Sequence, residues 1–129
     1  MRNALESGVP VVVKIGSSSI ARPEGGLDPD AVRNVVDQVV GVIERGNPAV
    51  LVTSGAIAAG FPTMGHTRRP TQIADLQVAA AIGQTRLMER YTNLFAERDI
   101  AVGQVLLTRD VLGNRHQYLN ARSAIERML

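Results

Sequence analysis

An α/β fold with a mostly parallel sheet and flanking helices is what this sequence predicts, and three observations carry that prediction. Short apolar runs bounded by turn residues recur at 11–15, 49–53 and 101–107, the signature of strands buried on both faces. Between them lie segments whose apolar residues recur at helical spacing. Two of the runs end in turns built from glycine, serine and alanine, Gly16 to Ser19 and Ser54 to Gly60. Strand and helix therefore alternate, the order that a parallel sheet with right-handed crossovers requires.

Size and composition agree with one domain. The chain has 129 residues, of which 45% are hydrophobic and only 3% aromatic, so its core must be aliphatic. Net charge is +2, and the basic residues are scattered; their one tight pair, Arg68-Arg69, reads as a solvated loop. With no aromatic platform and no basic stripe, a nucleic-acid binder is disfavoured. The absence of cysteine excludes a disulfide framework and a thiolate metal site. No apolar stretch reaches membrane-spanning length, and Met1 to Pro10 lacks the basic start and apolar middle of a signal peptide. These readings point to a soluble cytoplasmic protein.

The first strand, Val11 to Ile15, delivers Lys14 to its carboxyl end. An ammonium buried without a partner is costly, so an anion is expected to meet it, and Gly16 to Ser19 offer backbone N–H groups and hydroxyls with little bulk. Lys14 is the only lysine, against thirteen arginines. A chain that otherwise uses arginine for its cations places the compact point charge of lysine at this one turn, which suits phosphate; a strand-end lysine snorkelling to solvent is the bland alternative.

After a loop containing Pro23 and Gly25-Gly26, Asp28 reads as an N-cap with Pro29 at the first helical position. Val32, Val35, Val36, Val39, Val40 and Ile43 form the apolar face of this helix, and Gly46 fits the position after its end, closed by Asn47-Pro48. Valine is a mediocre helix former, so packing must hold the helix. The second strand, Ala49 to Thr53, runs straight into Ser54-Gly-Ala-Ile-Ala-Ala-Gly60. Small residues at a strand-to-helix junction admit a ligand to the main chain, and they equally permit close helix packing; both readings stand. Phe61 to Pro70 is a loop, and His66 within it is expected to face solvent.

Thr71 is expected to cap a long helix with Ile73, Leu76, Ala80, Leu87, Tyr91, Leu94 and Phe95 along one side, where Gly83 marks a break or a close contact. The third strand, Ala101 to Leu107, ends in Thr108-Arg-Asp110. Ligands of open α/β sheets bind beyond the carboxyl ends of strands, so this tripeptide lies on the favoured side; Asp110 capping a turn and Arg109 paired to an acid is the plain alternative. A last helix from about Asn114 has Tyr118, Ala121, Ile125 and Met128 as its stripe.

Neither G-x-x-x-x-G-K-[ST] nor G-x-G-x-x-G occurs. Yet Val-Val-Lys-Ile-Gly-Ser-Ser, Val-Thr-Ser-Gly-Ala-Ile-Ala-Ala-Gly, Ala-Ala-Ile-Gly-Gln, Gly-Gln-Val-Leu-Leu-Thr-Arg and Tyr-Leu-Asn-Ala-Arg, in that order, resemble the glutamate 5-kinase family of the amino-acid kinase superfamily. Acetylglutamate and uridylate kinases carry a run of glycines where this chain has Ser54, which argues against them.

The resemblance implies an amino-acid kinase-like, partial three-layer sandwich and phosphoryl transfer from ATP to the side-chain carboxylate of glutamate, the first step of proline biosynthesis. It implies Lys14 as the catalytic, phosphate-binding lysine, Gly16 and Ser17 lining the phosphates, and Ser54, Gly55 and Ala56 on the glutamate side. Magnesium would arrive with ATP, with no metal held by the protein's own side chains. The implied partners are L-glutamate, ATP, further copies of the chain and the next enzyme of proline synthesis, with no nucleic acid and no membrane. The resemblance covers residues 1–129 as the amino-terminal, glutamate-side part of such a domain; the family's nucleotide-binding half and C-terminal domain are not among its motifs here. The chain alone is therefore expected to be inactive and prone to associate. The alternative is a non-catalytic remnant or oligomerisation module of the same family.

Overall fold

In a computed structural model the described residues are 5–129, so the first four positions of the Met1 to Pro10 stretch lie outside them. Strand β1 (Val11–Ile15) pairs in parallel with β2 (Ala49–Thr53), in register from Val11 opposite Ala49 to Ile15 opposite Thr53. Helix α1 (Pro29–Glu44) makes the crossover between them. Helices α2 (Ala56–Gly60) and α3 (Ile73–Ala96) follow β2, and α4 (Arg109–Gly113) and α5 (Arg115–Met128) close the chain.

Helix α1 forms where its end signals place it. Asp28 accepts hydrogen bonds from the N–H groups of Asp30 and Ala31 at 3.0 and 3.1 Å, a cap that contributes about 1 kcal/mol. At the other end Gly46 adopts φ +84°, and its N–H donates to Ile43 O. Asn47 is buried, and its amide donates to the carbonyls of Glu6 and Val9, tying the segment before β1 to the helix end. Val32, Val36, Val39 and Val40 are buried against Leu87, Tyr91, Leu94 and Phe95 of α3. At about 1.5–3 kcal/mol per buried aliphatic side chain, this packing outweighs valine's poor helix propensity.

Both helices lie on one face of the sheet, the face presented by Val13, Ile15, Ala49 and Leu51. The opposite face is open among the described residues: Val12 is 66% and Val52 47% exposed. The expectation of strands buried on both faces is corrected accordingly. Strand β1 alternates half-buried and exposed along its length, and the described part of the sandwich is two layers deep.

Residues 101–107 do not form the expected third strand. Their backbone groups make no hydrogen bonds among the described residues, and a cleft of about 450 Å³ separates the segment from β2. An apolar run becomes a strand only when its backbone finds a partner. The long helix also differs in detail. Gln72, not Thr71, precedes its first turn and no side chain caps it, while Ile73 is 74% exposed. Helix α4 was not expected; Thr108, rather than Asp110, caps it by accepting from the N–H of Val111. Asn114 caps α5, where the last helix was expected to begin, but no residue of α5 is buried.

Candidate functional site

The parallel register brings the two small-residue turns together. Ile15 and Thr53 end their strands side by side, and the N–H of Ser54 donates to Ile15 O at 3.0 Å. Gly16, Ser17, Ser54 and Gly55 therefore gather at the carboxyl end of the sheet, on one edge, as the crossover rule requires.

Lys14 occupies the open face of the sheet. It is exposed and opposite Val52 in the register, and it forms no ion pair among the described residues. Its Nζ lies 3.7 Å from where a Cβ on Gly16 would stand, so the ammonium curls over the turn that follows its own strand. The cost of a buried charge is thus not what marks this lysine; its position beside the Gly/Ser turn is. After Gly16 the chain makes a single 3₁₀ turn, Ser17–Ser19, with exposed serines.

The second turn is more tightly built. Gly55 has φ +114° and ψ −2°, a conformation open to glycine, and a Cβ there would also lie 3.1 Å from Ile20 Cδ1. Helix α2 is only five residues long and continues into a 3₁₀ turn, Phe61–Met64. The expected small-residue helix is therefore a single turn, and its composition is explained first by packing. Helix α3 crosses it so closely that a Cβ on Gly83 would fall 1.6 Å from Ala56 O, and one on Gly60 would fall 1.9 Å from Ala79 O. Gly83 is a close contact and not a break, since α3 runs through it unbroken. The loop before α1 covers the other side: Gly26 N–H donates to Ala58 O, and Phe61 packs against Gly25.

Further along α3, the Tyr91 hydroxyl lies 2.9 Å from Thr53 Oγ1, which in turn donates to Ser54 O at 3.0 Å. Burial pushes the Tyr91 phenol above its ordinary pKa, opposed by its hydrogen bond with Thr53. Sequence reasoning treated Tyr91 only as part of an apolar stripe. A tyrosine in such a stripe signals that a polar partner must be found when it is buried, and that was the available clue.

His66 is half-buried in its loop, and Arg68 and Arg69 are exposed, as a solvated pair should be. Arg109 and Asp110 form no ion pair among the described residues. Those residues contain no cluster of three or more His, Cys, Asp or Glu side chains able to hold a metal ion.

A parallel sheet whose crossover helix returns two small-residue turns to one edge, with a lone lysine over the first, defines an α/β domain with its candidate site at the carboxyl ends of its strands. Residues 10–129 match the amino acid kinase family, and the chain belongs to that family. It is 46% identical over 119 residues to a protein named glutamate 5-kinase from Thermobifida fusca, covering 92% of this chain and 31% of that protein. A glutamate 5-kinase of Chromohalobacter salexigens is 45% identical over 128 residues, 99% of this chain and 34% of the relative. One of Salinispora arenicola is 46% identical over 129 residues, 100% of this chain and 35% of the relative. The chain spans about a third of the length of the curated relatives it matches.

Proposed function

We propose that this chain carries the acceptor side of a kinase that transfers the γ-phosphoryl group of ATP to the side-chain carboxylate of glutamate, opening proline biosynthesis. The observation that carries the reading is the Ser54 N–H to Ile15 O bond, which joins the lysine-bearing turn to the serine-bearing one. That these relatives are named glutamate 5-kinase supports glutamate as the substrate, and the Ser54 turn agrees with them in place of the glycine run of related kinases.

In this reading Ser54, Gly55 and Ala56 hold glutamate, and Gly16 and Ser17 line the phosphates. A carboxylate oxygen attacks the γ-phosphorus, the bond to the β-γ bridging oxygen breaks, and ADP leaves with that oxygen's electron pair. Lys14 neutralises charge on the transferred group, reaching it from the open face with a flexible stem. Catalysis is positioning and electrostatics, with no covalent enzyme intermediate, and magnesium accompanies ATP. The reading assigns residues 1–129 the glutamate side, so these residues assayed alone should give no turnover with glutamate and Mg-ATP. It also makes the protein a cytoplasmic homo-oligomer, with the enzyme that consumes the acyl phosphate as its partner.

The test is Lys14→Arg in the natural protein that carries these residues. Charge is kept, but the guanidinium fork misplaces it, and turnover should fall roughly a hundredfold, about 3 kcal/mol, with thermal stability unchanged. Normal turnover in Lys14→Arg would return the residue to a solvated strand-end cation.

A further inference from the structure

Helix α3 touches the Ser54–Gly55 turn from behind, and one of its contacts has a direction built into it. Tyr91 is 2% exposed, and its hydroxyl has Thr53 Oγ1 as its partner at 2.9 Å. A threonine hydroxyl has one proton, and here that proton goes to Ser54 O at 3.0 Å. Both contacts are satisfied at once only when the Tyr91 O–H donates to Thr53, giving a one-way relay from Tyr91 through Thr53 to the Ser54 carbonyl.

That carbonyl belongs to the peptide whose other end is the Gly55 N–H. In a trans peptide the C=O and N–H point in opposite directions. Thr53 stands opposite Ile15, whose side chain packs toward α1 and α3, so the relay draws the Ser54 carbonyl toward the covered face of the sheet. It thereby turns the Gly55 N–H away from the Thr53 hydroxyl. The N–H makes no hydrogen bond within the described residues. Gly55 lacks a Cβ, so its own side chain does not bar the flipped plane.

We propose that Tyr91 and Thr53 are positioning residues that lock the Ser54–Gly55 peptide in the orientation that keeps the Gly55 N–H free for the substrate. Without the relay the peptide samples the flipped state, in which a carbonyl oxygen faces the substrate's negative charge. The proposal rests on the reading of Ser54 and Gly55 as substrate-side groups.

The experiment compares Thr53→Val, Thr53→Ser and Tyr91→Phe in the natural protein, reading the amide ¹⁵N and ¹H resonances of Gly55 together with kcat and KM for glutamate and ATP. Thr53→Val keeps the shape and removes the relay, whereas Thr53→Ser keeps the hydroxyl and removes only a methyl group. Thr53→Val and Tyr91→Phe should shift the Gly55 resonance and lower kcat on the order of ten- to a hundredfold, with KM for ATP unchanged. Thr53→Ser should restore both the resonance and most of kcat, which a purely structural role for the methyl would not allow. An unmoved Gly55 resonance in Thr53→Val, or a Thr53→Ser variant as impaired as Thr53→Val, overturns the positioning role. A wild-type protein without glutamate-dependent turnover overturns the substrate assignment instead, and the Gly55 resonance still decides the relay.

Discussion

Residues 11–96 and residues 101–129 obey the same rules of sequence patterning, yet the first region holds the core and the second touches it only at its edge, through Val102. Every buried hydrophobic side chain among the described residues falls between Ile20 and Phe95. In the second region α5 buries none, and Leu106, Leu112 and Met128 are all more than half exposed. Helices α4 and α5 form all the same, because their backbone bonds are internal and Thr108 and Asn114 supply the caps. The run 101–107 forms no strand because a ladder needs a neighbouring strand, and its largely exposed backbone pairs with none among the described residues. A helix needs its own residues; a strand needs a neighbour.

Hydrogen exchange gives the largest expected effect. Amides of β1 and β2 should open only with most of the global unfolding free energy, of order 5 kcal/mol or more, while those of Val102 to Leu107 should exchange near the unprotected rate. Protection of 102–107 equal to that of Leu51 would erase the contrast, because it would mean that the segment pairs in solution.

Core truncation sharpens the contrast energetically. Leu87 is 1% exposed and sits between α1 and the sheet, so Leu87→Ala should cost about 2–5 kcal/mol in denaturant unfolding. Ile125→Ala, on a helix with no buried residue, should cost well under half as much. Equal losses would show that α5 is packed as firmly as α3.

Within the packed region, Gly83→Ala probes the α2 crossing. The added methyl would meet Ala56 O at 1.6 Å, a backbone atom with no flexible end to yield. Overpacking of this kind costs about 1–3 kcal/mol, and here it also displaces the residue after Gly55, so loss of stability and of turnover should appear together. Gly113→Ala, with nothing near its Cβ position, is the matched control and should be close to neutral.

The smallest effect is electrostatic. Arg33 donates to both carboxylate oxygens of Glu97 at 2.7 and 3.1 Å, joining α1 to the end of α3 at the surface. The hydrogen bond from Arg33 holds the Glu97 carboxyl below its ordinary pKa. A depressed carboxyl stabilises the fold above its unfolded pKa, about 4.3, and that contribution disappears as pH falls through the folded value. The Tm gap between wild type and Glu97→Gln should thus be small at pH 7 and close as pH falls through the depressed Glu97 value. A gap that widened on acidification would contradict the pairing.

Much of the molecule was legible in the order of residues. Asp28-Pro29 and Gly46 marked the ends of α1, its valines fell on the buried face, β2 matched Ala49 to Thr53, and the return of both turns to one edge followed from the handedness of the crossover. These features depend on local hydrogen bonding, side-chain periodicity and chain chirality, all of which a sequence carries in adjacent positions. What the tertiary structure alone decided depends on distant backbone. It left the face bearing Lys14 open, withheld a partner from 101–107, set Gly83 against Ala56 and joined Tyr91 to Thr53 across 38 positions. Two segments far apart in the chain meet only after the core has closed, and no local pattern records how near they will come or which hydroxyl will face which.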